Sequence, residues 1–271
     1  MTQKICVTIL SFFFFLSLTA QNNEYDLYLL IGQSNMAGRG KVEAQDTVIH
    51  PRVFTLNKNN EWVPAQDPIH FDKKVAGVGL GRTFGIEMAK KDPGVKIGLI
   101  PCAVGGSPID AWKPGGYHQQ TKTHPWDDME KRLNIALKNG TLKGILWHQG
   151  ESDSNPEKCN EYKVKLEGLI NRIRLLVQNQ NVPFVAGEFG KFKLKNNKEK
   201  YPEINPSPAE IVKNSTIEVI EDDGNAAFVK TNGLKHKGDH THFDTDSYRK
   251  LGKRYAKAML KLQKQILNLK T

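Results

Sequence analysis

The chain has 271 residues, with 39 Lys and Arg against 29 Asp and Glu, a formal net charge of +10 at pH 7 and 38% hydrophobic residues. That length suits one large domain with a buried core, and the 3 cysteines, one of them inside the first apolar run, exclude a disulfide framework. The basic balance leaves a nucleic acid, an anionic glycan or a solvated surface as its cause. Much of the excess sits in residues 191–200 and 249–264. Neither stretch carries a nucleic-acid motif or interleaved aromatics for stacking, so solvated basic faces are expected and no nucleic-acid partner.

In chain order, residues 1–20 read as a secretory signal: Lys4 gives a positive start, ICVTILSFFFFLSL is apolar, and Thr19-Ala20 offers a small-residue cleavage site. The run is shorter than the roughly twenty residues a bilayer-spanning helix needs, and Cys6 lies inside it rather than at a lipidation point. The expectation is an exported chain, periplasmic or secreted, whose mature part, residues 21–271, is a single domain with no membrane span.

Five strand-length apolar runs follow, at residues 25–31, 95–100, 144–147, 182–186 and 226–229. Near-continuous apolar strands suit a sheet buried on both faces. Helical patterns fall between them at 81–91, 126–138, 160–179 and 208–221, and a last amphipathic one at 245–267 places Tyr255, Met259 and Leu262 on one face, with Asp244 as its N-cap. Residues 191–200 (KFKLKNNKEK) read as a loop insertion. The alternation predicts an α/β fold, an open parallel sheet of about five strands with helices on both sides, and a site beyond the carboxyl ends of the strands.

Polar, glycine-rich turns fall at those ends. Gly32 to Gly38 follows the first strand, Pro101 to Ser107 the second and His148 to Asp153 the third, while Gly238 to Phe243 precedes the last helix. Acyl transfer needs a nucleophile, a base, a group that orients the base, and donors aimed at an oxyanion. Ser34, at a strand-to-helix turn, suits the nucleophile, although such a serine also serves as a helix cap. Asp239 and His242, three residues apart, suit the acid and the base. Glu151 is a second candidate for the orienting acid. The Ser34 N–H, a backbone N–H of Gly105 or Gly106, and the Gln149 amide are candidate oxyanion donors.

Read together, the strings GQSNMAGRG (32–40), PCAVGGSPIDAW (101–112), WHQGESD (147–153) and DHTHF (239–243) resemble those of the SGNH hydrolases. Within them they resemble the sialate O-acetylesterase and acetylxylan-esterase-like group, carbohydrate esterase family six. The resemblance implies a three-layer α/β/α flavodoxin-like fold, no cofactor or metal, and hydrolysis of carbohydrate O-acetyl esters through an acetyl-serine. It gives Ser34 as nucleophile, Gly105 as backbone oxyanion donor, Gln149 where many SGNH enzymes have asparagine, and Asp239 with His242. The implied partner is an acetylated carbohydrate, either a polysaccharide such as xylan or a sialic acid.

Two other readings have residues behind them. The crowding of His236, Asp239, His240, His242 and Asp244 resembles part of a metallo-hydrolase ligand run, which would make the His236/His240/His242 cluster a metal site. Trp112, Trp126 and Trp147 near the rim could make the chain a catalytically idle carbohydrate-binding protein. Cys102 and Cys159 are the two cysteines of the mature part, as a bridge or as buried thiols.

Overall fold

Alternation along the first strand decides the layering. The structure, a computed structural model, describes residues 24–268, so the secretory signal read at 1–20 lies outside the described residues. In strand β1 (Tyr25–Gly32), Leu27, Leu29 and Ile31 enter one apolar cluster and Tyr28 and Leu30 enter another on the opposite face. This is the two-residue period of a strand covered on both sides.

β1 is central in a seven-stranded sheet with β2 (Val53–Leu56), β3 (Trp62–Pro64), β4 (Lys96–Pro101), β5 (Gly140–His148), β6 (Phe184–Gly187) and β7 (Ala226–Val229). The order is β3-β2-β4-β1-β5-β6-β7, parallel except for the β2–β3 hairpin at one edge. The five strands expected from the sequence are β1, β4, β5, β6 and β7. Taken in chain order they lie 2-1-3-4-5, the flavodoxin-like arrangement. β2 and β3 extend the expected five to seven. Each is short, four and three residues, and Thr55 in one and Pro64 in the other interrupt the apolar run.

Helices cover both faces. α3 (Pro125–Ala136), α4 (Tyr162–Leu176) and α6 (Pro208–Asp222) contribute Met129, Leu133, Leu166 and Val212 to the first cluster. On the other face, α2 (Gly81–Lys91) and α7 (Thr245–Asn268) contribute Phe84, Met88, Tyr255 and Met259 to the second. Tyr248, Leu251, Tyr255, Met259 and Leu262 form the buried stripe of α7 at helical spacing. Asp244 Oδ1 accepts the Ser247 N–H at 2.8 Å, the capping role its position suggests.

The remaining helices are α1 (Ser34–Ala37) and α5 (Lys191–Lys200). α5 corrects the reading of 191–200 as a loop. Its sequence is too polar for an apolar stripe, and tertiary hydrogen bonds hold it instead. Buried Asn197 donates to Ser154 O at 2.8 Å and accepts the Ala209 N–H at 2.9 Å. Cys102 and Cys159 are both buried, free thiols, not a bridge.

Gly32 ends β1 at a φ of +131°. A Cβ there would run into the backbone carbonyl of His148 on the neighbouring strand, so both the dihedral and the space require glycine. Gly32→Ala is therefore expected to destabilise the fold by about 3 kcal/mol, from backbone strain plus displacement of β5. Urea unfolding should show a lower midpoint with an unchanged slope.

Candidate active site

Because β4, β1 and β5 are neighbours, the turns after them meet at one rim. The loop before α7 closes over it. Between them lies a cleft of about 370 Å³, lined by residues that include Ser34, Gly105, Gly106, Glu151, Thr241 and His242.

Ser34 is the first residue of α1, and Gln33 occupies the N-cap. The Ser34 hydroxyl is therefore free of a capping duty. It lies 2.9 Å from His242 Nε2, across 208 positions of sequence. His242 Nδ1 lies 2.7 Å from Asp239 Oδ2. The other carboxylate oxygen of Asp239 accepts the backbone N–H groups of Thr241 and His242 at 3.0 and 2.8 Å. His240 takes a left-handed φ of 53° within this turn. Burial acts to raise the Asp239 pKa, but the His242 and Thr241 N–H groups and the His242 ring outweigh it and hold the carboxyl at about 2. The result is a serine hydroxyl, an imidazole and an ionised carboxylate in one line, the geometry that proton abstraction from a hydroxyl requires.

Glu151 faces the same cleft without touching His242. Its Oε1 accepts Asn35 Nδ2 at 2.6 Å. Asn35, fully buried, also donates to Thr241 O at 3.0 Å and accepts from Tyr248 Oη at 2.7 Å and from the Phe243 N–H at 3.3 Å. One side chain thereby joins the turn after β1, the turn after β5, the His242 loop and α7. Asn35 stood inside the GQSN string, but nothing in its spacing marked it as a junction.

The candidate oxyanion donors differ in their commitments. The Ser34 and Gly106 N–H groups have no acceptor among the described residues. The Gly105 N–H donates to Asp72 Oδ2 at 2.8 Å, and Asp72 forms a buried ion pair with Arg39 at 2.6 Å. Gln149 is buried behind the cleft. Its two amide hydrogens face three acceptors, Gln33 Oε1 at 3.2 Å, Ser107 O at 3.1 Å and Asp153 Oδ2 at 2.5 Å, while Tyr162 Oη donates to its Oε1 at 2.9 Å. The structure thus brings Ser34, Gly105, Asp239, Glu151 and His242 to one rim and sets Gln149 beneath it.

The other two readings find little geometry. Among the described residues no three His, Cys, Asp or Glu side chains are grouped as a metal ion would need. His236 Nδ1 accepts the Gly238 and His240 N–H groups, both nitrogens of His242 face Asp239 and Ser34, and Asp244 caps α7. Trp112, Trp126 and Trp147 are at most 3% exposed, and Trp112 packs edge-on against Trp147, so they are core residues and not sugar platforms.

Comparison with known proteins bears on the family and the fold. The family model described as carbohydrate esterase, sialic acid-specific acetylesterase, matches residues 24–261. A probable carbohydrate esterase of Arabidopsis thaliana is 28% identical over 255 residues, 86% of this chain and 90% of that protein. Its crystal structure superposes with a TM-score of 0.74 at 26% identity, over 89% of this chain and 99% of the other. The fold is shared with NanS, with a TM-score of 0.70 at 17% identity over 91% and 99% of the two chains. A carbohydrate acetylesterase from Xanthomonas citri gives 0.69 at 20% identity, covering 89% of this chain and 57% of that one.

The Asp239 geometry predicts an acid-side stability term. Its folded-state pKa, about 2, lies below that of the unfolded chain. Its contribution is therefore present above the unfolded value near 4 and is lost as pH falls through about 2. Chemical unfolding of wild type and Asp239→Asn should show the largest stability difference above pH ~4 and convergence toward pH ~2.

Proposed function

The chain belongs to the sialic acid-specific acetylesterase family of carbohydrate esterases, which hydrolyse carboxylic esters, and on that premise we propose that it removes O-acetyl groups from carbohydrate with Ser34 as nucleophile. The observation that carries this reading is the line Ser34 Oγ, His242 and Asp239, at 2.9 and 2.7 Å. His242 Nε2 takes the Ser34 proton as Oγ bonds to the acetyl carbonyl carbon. Asp239 holds the ring in orientation and stabilises the imidazolium. The carbonyl oxygen becomes an oxyanion, received by the Ser34 N–H and a glycine N–H of the 105–106 turn. Collapse breaks the bond to the sugar oxygen, which leaves with the proton from His242. Water then attacks the acetyl-Ser34, losing its proton to His242, which returns it to Ser34 Oγ as the acyl–Oγ bond breaks and acetate departs.

Within this reading Asp239 is the orienting acid, Glu151 positions Asn35, and Gln149 stiffens the turn under the cleft rather than donating to substrate. The substrate class we favour is an acetyl ester on a carboxylate-bearing sugar. Lys73 and Lys193 line the cleft, Arg39 there being paired with Asp72, and neither lysine has a carboxylate within 4.0 Å among the described residues. Export is part of the same proposal, resting on the apolar run ICVTILSFFFFLSL; among the described residues no helix is long and apolar enough to cross a membrane.

Ser34→Ala should reduce acetate release to background. Asp239→Asn should lower kcat by about 10²- to 10⁴-fold. Glu151→Gln should cost less, about tenfold, because it loosens a support and leaves the proton path intact. The opposite ranking of the two acids would overturn the assignment. In a screen of acetate release from acetylated sialic acid, pectin and xylan, Lys193→Ala should raise KM about fivefold more for the acidic sugars than for xylan.

A further inference from the structure

A second cavity, about 320 Å³, opens beside the cleft, on the far side of the wall made by Asp72 and the Gly105 turn. Its size is within the range of small-molecule sites, roughly 300 to 1,000 Å³. Its floor holds a guanidinium in an unusual state. Arg132 on α3 is 8% exposed, yet its bonds go only to neutral groups: Leu56 O at 2.7 Å, Asn57 O at 3.0 Å and Asn60 Oδ1 at 2.7 Å. Its Nε–H has no acceptor, and no carboxylate lies within ion-pair distance among the described residues. A buried charge without a counterion is costly, and such groups are found paired or facing a ligand.

The rest of the lining points the same way. Lys58 and Lys131 both border the cavity, and neither has a carboxylate within 4.0 Å among the described residues. His70, also in the lining, is 2% exposed, and burial holds its pKa down at about 4, so it is neutral and adds no charge to the cavity. Phe71 is 45% exposed, its ring 4.8 Å from the Arg132 guanidinium, and it presents an apolar face of the kind sugar C–H groups cover. Two acids border the cavity. Asp72 is neutralised by Arg39, and Asp128 leaves three cations against one free carboxylate.

We propose that this second cavity is a subsite for the carboxylate of an acidic sugar unit adjoining the acetylated one. The carboxylate pairs with the Lys58 and Lys131 ammonium groups above the unpaired Arg132 guanidinium, and Phe71 carries the apolar face. The assignment rests on the reading of the Ser34 cleft as the ester site, and it makes an acidic oligosaccharide, not a lone sugar, the preferred substrate.

The test has a binding arm that needs no catalysis. In full-length Ser34→Ala, the Arg132 Nε–H signal, identified by its loss in Arg132→Lys, is followed by NMR during titration with sodium glucuronate, glucose, sodium acetate or inorganic phosphate. A saturable shift with glucuronate and none with glucose is expected. Acetate shifting the signal as strongly as glucuronate would make the cavity a product-anion site, and phosphate alone shifting it would remove the sugar; either overturns the proposal, as does no shift at all. In the kinetic arm, the double variant Lys58→Ala, Lys131→Ala should reduce about tenfold the ratio of kcat/KM for an acetylated acidic disaccharide over its acetylated monosaccharide. An unchanged ratio overturns it. Wild-type protein that releases no acetate while glucuronate still moves Arg132 would sink the esterase reading and leave the subsite standing.

Discussion

The distance between Ser34 and His242 depends on the amide of Asn35. The two residues belong to opposite ends of the chain, and their own hydrogen bond, part-exposed at a cleft, is too weak to fix a loop by itself. Asn35 satisfies its amide inside the protein, with Glu151 and Thr241 O on the nitrogen and Tyr248 and the Phe243 N–H on the oxygen. A buried amide with all its partners in place is stiff because any displacement strands several polar groups at once. The neighbour of Ser34 thus sets where His242 can stand. Asp239 then acts locally, folding its own turn through two backbone N–H groups before it meets the ring.

Strand order supplies the coarser constraint. With β1 between β4 and β5, the three turns that follow them have no freedom to separate. The glycine at 32 lets the backbone pass His148 closely, so Ser34 begins its helix at the rim rather than above it. Beneath the rim, Gln149, Asp153, Ser107 and Tyr162 form a second polar layer. Burial raises the Asp153 carboxyl to about 6, against the hydrogen bonds from Gln149 and the Ile109 N–H that favour its charge. That layer holds the floor of the cleft without reaching into it.

Much of this was readable in the amino-acid order. The five parallel strands expected and the amphipathic α7 announced themselves by apolar runs and by helical spacing, because burial dictates those patterns. β2 and β3 escaped because Thr55 and Pro64 interrupt their short apolar runs, and α5 escaped because Asn197, with Phe192 and Leu194 alone and no full apolar stripe, anchors it. In the site, Ser34, Asp239 and His242 could be picked out because each lies in a short polar turn of recognisable chemistry. Gln149 and Glu151 share one such turn, and sequence cannot say that one side chain points down and the other out. Asp72 gave no signal whatever: its role comes from Arg39 and the Gly105 N–H, met only in three dimensions.

The placement of Ser34 and His242 at opposite ends of the chain also bears on biosynthesis. The central strand of the sheet is made first, and its flanking partners β4 and β5 come much later, so β1 must wait for contacts of high sequence separation. The loop bearing His242 is made 208 residues after Ser34. A chain interrupted between them holds Ser34 without its imidazole partner. The line through Ser34, His242 and Asp239 therefore forms only after the whole sheet has been made.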